Sequence, residues 1–227
     1  MQRYFLDHEN KIDKDDVHHI LNVMRFKSGT VVEVCGTTGC YLATLEIQHK
    51  EVGFSTTEKL EDNPPLNVTI VQGLPKGDKM DTVTKYATLF QAKSIIFVAM
   101  KRSIAKLSNV DHKLSRLNKI AKEAAELSKR STLPHIQLLE SLKDINTDGK
   151  QLVLLDELER VYNIKDFTKD HGTKDLIVII GPEGGIDEME RNALVECGAI
   201  TVSLGQSILP TELAHIPILN ACLLTKL

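Results

Sequence analysis

Two stretches of the 227-residue chain carry residue types suited to chemistry at the edge of a sheet. The first is Ile177-Val178-Ile179-Ile180-Gly181-Pro182-Glu183-Gly184-Gly185-Ile186-Asp187-Glu188-Met189-Glu190. Here an apolar strand runs into a glycine-rich turn, and Asp187, with Glu190 three residues on, reads as the cap of a following helix. The second runs from Val202 to Ala214. Another strand feeds a loop around Gly205, Thr211 is placed to cap the last helix, and Leu204, Ile208 and Leu209 surround exposed backbone. Ligands of open α/β sheets gather at such edges, and a loop of this kind can clasp a flat ring. The same residues also have a plain structural reading, as tight turns and core plugs. Neither glycine turn fits G-x-G-x-x-G. The stretch Gly73-Leu74-Pro75-Lys76-Gly77-Asp78-Lys79 has the wrong spacing for G-x-x-x-x-G-K-[ST] and no hydroxyl after Lys79, which argues against phosphate cradling by either device. A nucleotide-like cofactor held through backbone groups stays compatible.

The elements that must position these turns follow from the apolar patterning. Val31 to Cys35 and Tyr41 to Ile47 alternate partly with period two around Gly36-Thr37-Thr38-Gly39, which predicts a hairpin in a small β unit. The acidic, proline-bearing stretch Glu61-Asp62-Asn63-Pro64-Pro65 interrupts helix and central strand alike and reads as a linker. Beyond it, Asn67 to Val71, Ser94 to Ala99, Leu152 to Leu155 and Leu176 to Ile180 are continuous apolar runs of the kind buried on both faces of a parallel sheet. Leu114, Leu117, Ile120, Ala121 and Ala124 fall near helical spacing, and helices are expected over 187–197 and 211–224. Strand-then-helix order implies an α/β sheet covered by helices.

Composition bounds the class. Hydrophobic residues at 42% and charged residues at 26% are ordinary for a globular chain with a sizeable core, which argues against disorder and against a fibrous protein. No apolar run spans a bilayer and the first residues lack a signal-type apolar stretch, so a cytosolic home is expected. Cys35, Cys40, Cys197 and Cys222 include no C-x-x-C pair and read as reduced thiols; the eight histidines form no metal motif, so no metal is expected. The net charge of −3 hides a basic middle, since residues 76–130 hold 13 basic against 5 acidic side chains. Such a segment is either the solvated face of helices or a surface for phosphates.

Read together, these segments resemble a known family: the bacterial ribosomal RNA uridine N3-methyltransferases of the small subunit, within the α/β-knot (SPOUT) superfamily. The resemblance covers nearly the whole chain. It rests on Gln2-Arg3-Tyr4-Phe5, His18-His19-Ile20-Leu21-Asn22-Val23-Met24-Arg25, Lys76-Gly77-Asp78-Lys79-Met80-Asp81, Lys122 to Arg130, and above all on the two turns described first. It implies a PUA-like β-barrel RNA-binding domain over residues 1–65 and a trefoil-knotted, parallel-sheet methyltransferase domain over 66–227. It further implies S-adenosylmethionine as cofactor, 16S ribosomal RNA or the small subunit as partner, and a homodimer. Carried over residue by residue, the cofactor would lie against Leu155, Ile180, Gly181 and Gly185 on one side and Leu204, Gly205, Ile208 and Leu209 on the other. Arg3, Arg25, Lys76, Lys79 and Arg102 would face RNA.

The chemistry agrees with that assignment. A uracil N3 lies between two carbonyls and becomes a nucleophile only as its proton leaves, so the site needs a base or a stabiliser of the anion, and alignment with the methyl donor. Glu212 and Glu183 are the candidate carboxylates, and Arg130 the candidate for developing negative charge. N3 lies on the pairing edge, so the target must be unpaired or extruded. The family carries arginines where this chain has Ser207 and Pro210, and Glu-Leu-Gly where it has Thr88-Leu89-Phe90. Two other readings therefore stay open: a non-catalytic RNA-binding relative, and a metabolic α/β enzyme acting on a small nucleotide.

Overall fold

The computed structural model describes residues 1–172 and 174–225 and divides the chain into two compact units. The first comprises Met1–Pro64 together with Ala125–Thr132; the second comprises Pro65–Ala124 and the chain from Leu133 onward.

In the first unit, β1 (Arg3–Phe5), β2 (Val31–Gly36), β3 (Gly39–Gln48) and β4 (Glu51–Lys59) form one sheet in that order. β1 runs parallel to β2, and the other pairs are antiparallel. The expected hairpin is present, with Gly36 opposite Gly39. A short helix, α1 (Lys14–His18), continues into a π-helical turn at His19–Val23. Tyr4, Ile20, Val32, Val34 and Leu45 make the core. The sequence gives no period for β4, because most of its side chains are exposed and polar.

The hairpin also corrects an expectation. Cys35 and Cys40 sit directly opposite each other with Cα atoms 4.0 Å apart and are joined as a disulfide, not left as reduced thiols. A two-residue turn places residues five apart face to face on neighbouring strands, a proximity that a search for C-x-x-C misses. Cys197 and Cys222 are free. The segment Ala125–Thr132 is stitched in by partly buried charge: Arg3 Nε and Lys129 Nζ lie 2.7 and 2.8 Å from Glu33 Oε2. Arg3 Nη1 donates to the carbonyls of Lys129 and Arg130 at 2.6 and 2.8 Å. Burial alone would raise the Glu33 carboxyl; Lys129 and Arg3 outweigh it and hold the group below its ordinary value.

The second unit is a six-stranded, wholly parallel sheet in the order β10-β8-β9-β5-β6-β7. Its strands are β5 (Leu66–Gly73), β6 (Ala92–Val98), β7 (His135–Leu139), β8 (Gln151–Leu155), β9 (Leu176–Ile180) and β10 (Ile200–Val202). Successive side chains of each strand enter different cores, as a period of two requires. Ile70, Phe97, Val153, Val178 and Ile180 pack on one face with helices α2 (Lys79–Leu89), α3 (Val110–Leu127), α4 (Ile164–His171) and α6 (His215–Leu224). Val71, Ile96, Leu154, Ile177 and Ile179 pack on the other, against Ile186 and Leu194 near α5 (Glu188–Glu196). Burial on both faces explains the unbroken apolar runs. Among the described residues no helix is long and apolar enough to cross a membrane.

The expected caps form only in part. Asp187 caps α5 by accepting from the Met189 N–H, but Glu190 accepts from the Lys101 N–H at 2.9 Å instead of closing a capping box. Thr211 opens a 3₁₀ turn (Thr211–Leu213), with Pro210 at the cap position, and its hydroxyl bonds elsewhere.

Candidate active site

The order of strands puts β9 between β8 and β5, so the turns after β8, β9 and β10 leave the same carboxyl edge of the sheet. They enclose a cavity of about 530 Å³. Leu155, Ile180, Gly181 and Gly185 line it, as do Leu204, Gly205, Ile208 and Leu209. All eight positions expected to contact the cofactor thus surround one cavity, with Ser207, Pro210 and Thr211 in the same wall.

The two glycine turns are tied by partly buried hydrogen bonds. Gln72, fully buried at the end of β5, donates from Nε2 to the Gly181 carbonyl at 3.1 Å and to Thr211 Oγ1 at 2.7 Å. Thr211 donates in turn to the Gly181 carbonyl at 2.5 Å. Next to Gln72, Gly73 admits the Pro182 ring: a Cβ there would stand 2.5 Å from Pro182 Cδ and 2.6 Å from its nitrogen. Gly185 has φ +70°, and a Cβ on it would meet Glu157 Oε1 at 2.9 Å.

The turn after β8 is pinned by two carboxylates. Asp156, almost buried, pairs with Arg191 Nε at 2.5 Å and accepts from the Leu158 N–H at 2.9 Å. Glu159 accepts from the N–H groups of Val161, Tyr162 and Arg160 and from the Thr201 hydroxyl; the Val161 and Tyr162 bonds do most to pull its carboxyl down to about 2.

Lys79 opens α2 and bridges both candidate carboxylates, with Nζ 3.2 Å from Glu183 Oε1 and 3.1 Å from Glu212 Oε2. The bond to Glu212, followed by that to Glu183, raises the ammonium above its ordinary value against the opposing effect of burial. For Glu183, burial acts upward but is outweighed by the Lys76 N–H at 3.0 Å and by Lys79, leaving it below the usual carboxylate range. Glu183 and Lys79 line the cavity, whereas Glu212 does not and meets it only through Lys79. Lys76 and Arg102 are exposed nearby in sequence and space: Lys76 meets Glu183 through its backbone, and Arg102 Nη1 donates to the Gly184 carbonyl at 3.2 Å.

The remaining expected residues lie in the first unit and line no part of this cavity. Arg3 is buried in the network with Glu33, and Arg25 is exposed. Arg130 is fully buried, donates from Nε to the Thr132 carbonyl at 2.8 Å, and burial lowers its guanidinium to about 10. The sequence reading missed Gln72, Asp156, Glu157 and Arg160. The charged run Asp156-Glu157-Leu158-Glu159-Arg160, directly after a buried strand, was the available signal for the last three.

Comparison with known proteins agrees with this geometry. A family model described as the RNA methyltransferase domain matches residues 62–223. The ribosomal RNA small subunit methyltransferase E of Bacillus subtilis is 33% identical, over 97% of this chain and 95% of its own. The protein of the same name from Mycobacterium bovis is 28% identical over 92% of this chain and 84% of its own. A crystal structure of ribosomal RNA small subunit methyltransferase E from Neisseria gonorrhoeae, bound to S-adenosyl methionine, superposes with a TM-score of 0.83 at 25% identity, covering 99% of this chain and 98% of that one. These relatives are named as enzymes, which favours the catalytic reading over the non-catalytic relative that Ser207 and Pro210 left open.

Proposed function

We propose that this protein, which belongs to the RNA methyltransferase domain family and within it to the ribosomal RNA small subunit methyltransferases E, methylates N3 of a uridine in 16S ribosomal RNA, with S-adenosylmethionine as methyl donor. One observation carries the reading: two glycine-bearing turns, locked together through Gln72, Thr211 and Gly181, open on a single cavity at the carboxyl edge of the sheet. Its volume falls within the roughly 300–1,000 Å³ common for small-molecule sites. The side chains of Leu155, Ile180, Leu204 and Leu209 suit a flat adenine, and the backbone at Gly181 and Gly205 suits its ring nitrogens and amine. When bound, the cofactor supplies an electrophilic methyl on a sulfonium centre.

The chain's own groups supply alignment and proton removal. Glu183, held ionised by the Lys76 N–H and Lys79, is a poor proton acceptor and serves to position the uracil. Glu212 takes the N3 proton, and Lys79 between the two carboxylates balances the charge that gathers as the uracil becomes anionic. The target base is unstacked before it enters, at a cost of a few kcal/mol met by contacts to the flanking RNA. Lys76, Arg102 and Arg25, all exposed, are assigned to those phosphates, whereas Arg3 and Arg130 hold the first unit together.

Residues 1–65 form a PUA-like RNA-binding barrel, a reading supported by the β1–β4 sheet. Residues 66–227 form a trefoil-knotted catalytic domain, supported by the convergence of the turns after β8, β9 and β10. The protein works as a homodimer in the cytoplasm. Small ribosomal subunits incubated with the protein and methyl-labelled S-adenosylmethionine test the function: label is expected at N3 of one uridine of 16S RNA. Absence of transfer to naked RNA, partly assembled and complete subunits alike overturns it.

A further inference from the structure

The charged side chains around the cavity divide into those already paired and those that are not. Lys79 is taken by Glu183 and Glu212, and Asp156 by Arg191. Glu157 and Arg160 also line the cavity, and among the described residues neither has an oppositely charged side chain within 4.0 Å. They have opposite sign and stand three residues apart on one turn, whose backbone is fixed by Asp156 and Glu159. Glu157 Oε1 lies over the Gly185 turn, 2.9 Å from where a Cβ on that glycine would stand. A rigid turn that presents one carboxylate and one guanidinium to a cavity matches a ligand carrying one cation and one anion on neighbouring atoms. A polyanion fits it poorly, because Glu157 would repel each phosphate that Arg160 attracts.

We infer that Glu157 and Arg160 form a subsite for a free α-amino acid group, Glu157 receiving the α-ammonium and Arg160 the α-carboxylate of the methionine portion of the cofactor. This rests on the methyl-donor reading above. The apolar wall of Leu204 and Leu209 then receives the adenosine, and the turn after β8 orients the other end. A guanidinium suits this task, since its paired N–H groups match both carboxylate oxygens.

Calorimetry with two ligands tests the subsite without catalysis: S-adenosylhomocysteine, which carries the amino acid group, and 5′-methylthioadenosine, which lacks it. Glu157→Gln and Arg160→Met are both at exposed positions, and their thermal unfolding serves as a check on folding. Each substitution is expected to weaken S-adenosylhomocysteine about tenfold, the typical loss of a charge-assisted hydrogen bond, and to leave 5′-methylthioadenosine within about twofold. Equal losses for both ligands, or none for either, overturn the subsite. Loss of 16S RNA affinity in Arg160→Met, with S-adenosylhomocysteine binding unchanged, overturns it in favour of a phosphate contact. If the unsubstituted protein binds neither ligand, the methyl-donor reading itself fails, and the subsite with it.

Discussion

His215 offers the most quantitative test of the packing behind the cavity. It stands at the start of α6, directly after the cavity-lining Ala214, and is fully buried. Neither ring nitrogen has a hydrogen-bond partner among the described residues. Burial lowers its pKa from 6.5 to about 4, with no charged neighbour contributing. The neutral ring is therefore the folded form, and the unfolded chain binds the proton more readily. Stability that is intact above pH 6.5 is lost as pH falls through the interval from 6.5 to 4 and levels off below it. The linkage relation gives a loss of about 2 kcal/mol between pH 7 and pH 5, and about 3 kcal/mol in the acid limit. His215→Leu removes both the titration and the unpaired ring N–H, whose burial costs about 1–3 kcal/mol. Denaturant unfolding of the two proteins at several pH values between 7 and 5 isolates this residue, since every other titrating group is shared. The leucine variant is expected to be the more stable at pH 7 and to gain a further 2 kcal/mol or so over the original protein by pH 5. A stability difference that stays flat across this range refutes the reasoning.

Three further outcomes follow from the same geometry. Gly73→Ala forces a methyl to within 2.5 Å of Pro182, whose ring cannot yield without moving the Gly181 turn, so calorimetry should find cofactor binding weakened at least about tenfold; unchanged affinity sinks the close-approach argument. Lys79→Met removes one of the groups that hold Glu183 ionised, so the acid limb of the kcat/KM profile should move to higher pH, and a limb that stays put would detach Glu183 from the reaction. Reducing the Cys35–Cys40 bond, which closes a loop of only a few residues, should lower the unfolding free energy of the first unit by about 2 kcal/mol while leaving its hairpin formed; loss of the β2–β3 pairing on reduction would show that the bond, not the ladder, sets the register.

How much of this was legible in the sequence depends on what each feature rests upon. The buried strands announced themselves because a parallel sheet covered on both faces leaves no polar side to interrupt Leu176 to Ile180. β4 did not, because most of its side chains face water and its identity comes from pairing with β3. α4 escaped for a related reason: Phe167 and Thr168 are its only buried residues, too few to establish a helical period. The glycine turns were visible as local signals, yet what joins them was not. Gln72 sits 109 residues from Gly181 and 139 from Thr211, and no local pattern marks a glutamine that will bridge two later turns.

The Thr211 cap fails for an instructive reason. A threonine ahead of a helix is a sound signal for a side chain that accepts from the first turn. Here the 3₁₀ turn begins at Thr211 itself, and the hydroxyl both accepts from Gln72 and donates to Gly181. Local preference favours the cap by about 1 kcal/mol. Against it stand two tertiary hydrogen bonds, one from the buried Gln72 amide and one to the Gly181 carbonyl, each worth about 0.5–1.5 kcal/mol. The tertiary demand is the larger, so the threonine is taken from its own helix and given to the seam between the two turns. The residue that looked like a terminus marker is thereby one of the three that hold the candidate active site in register.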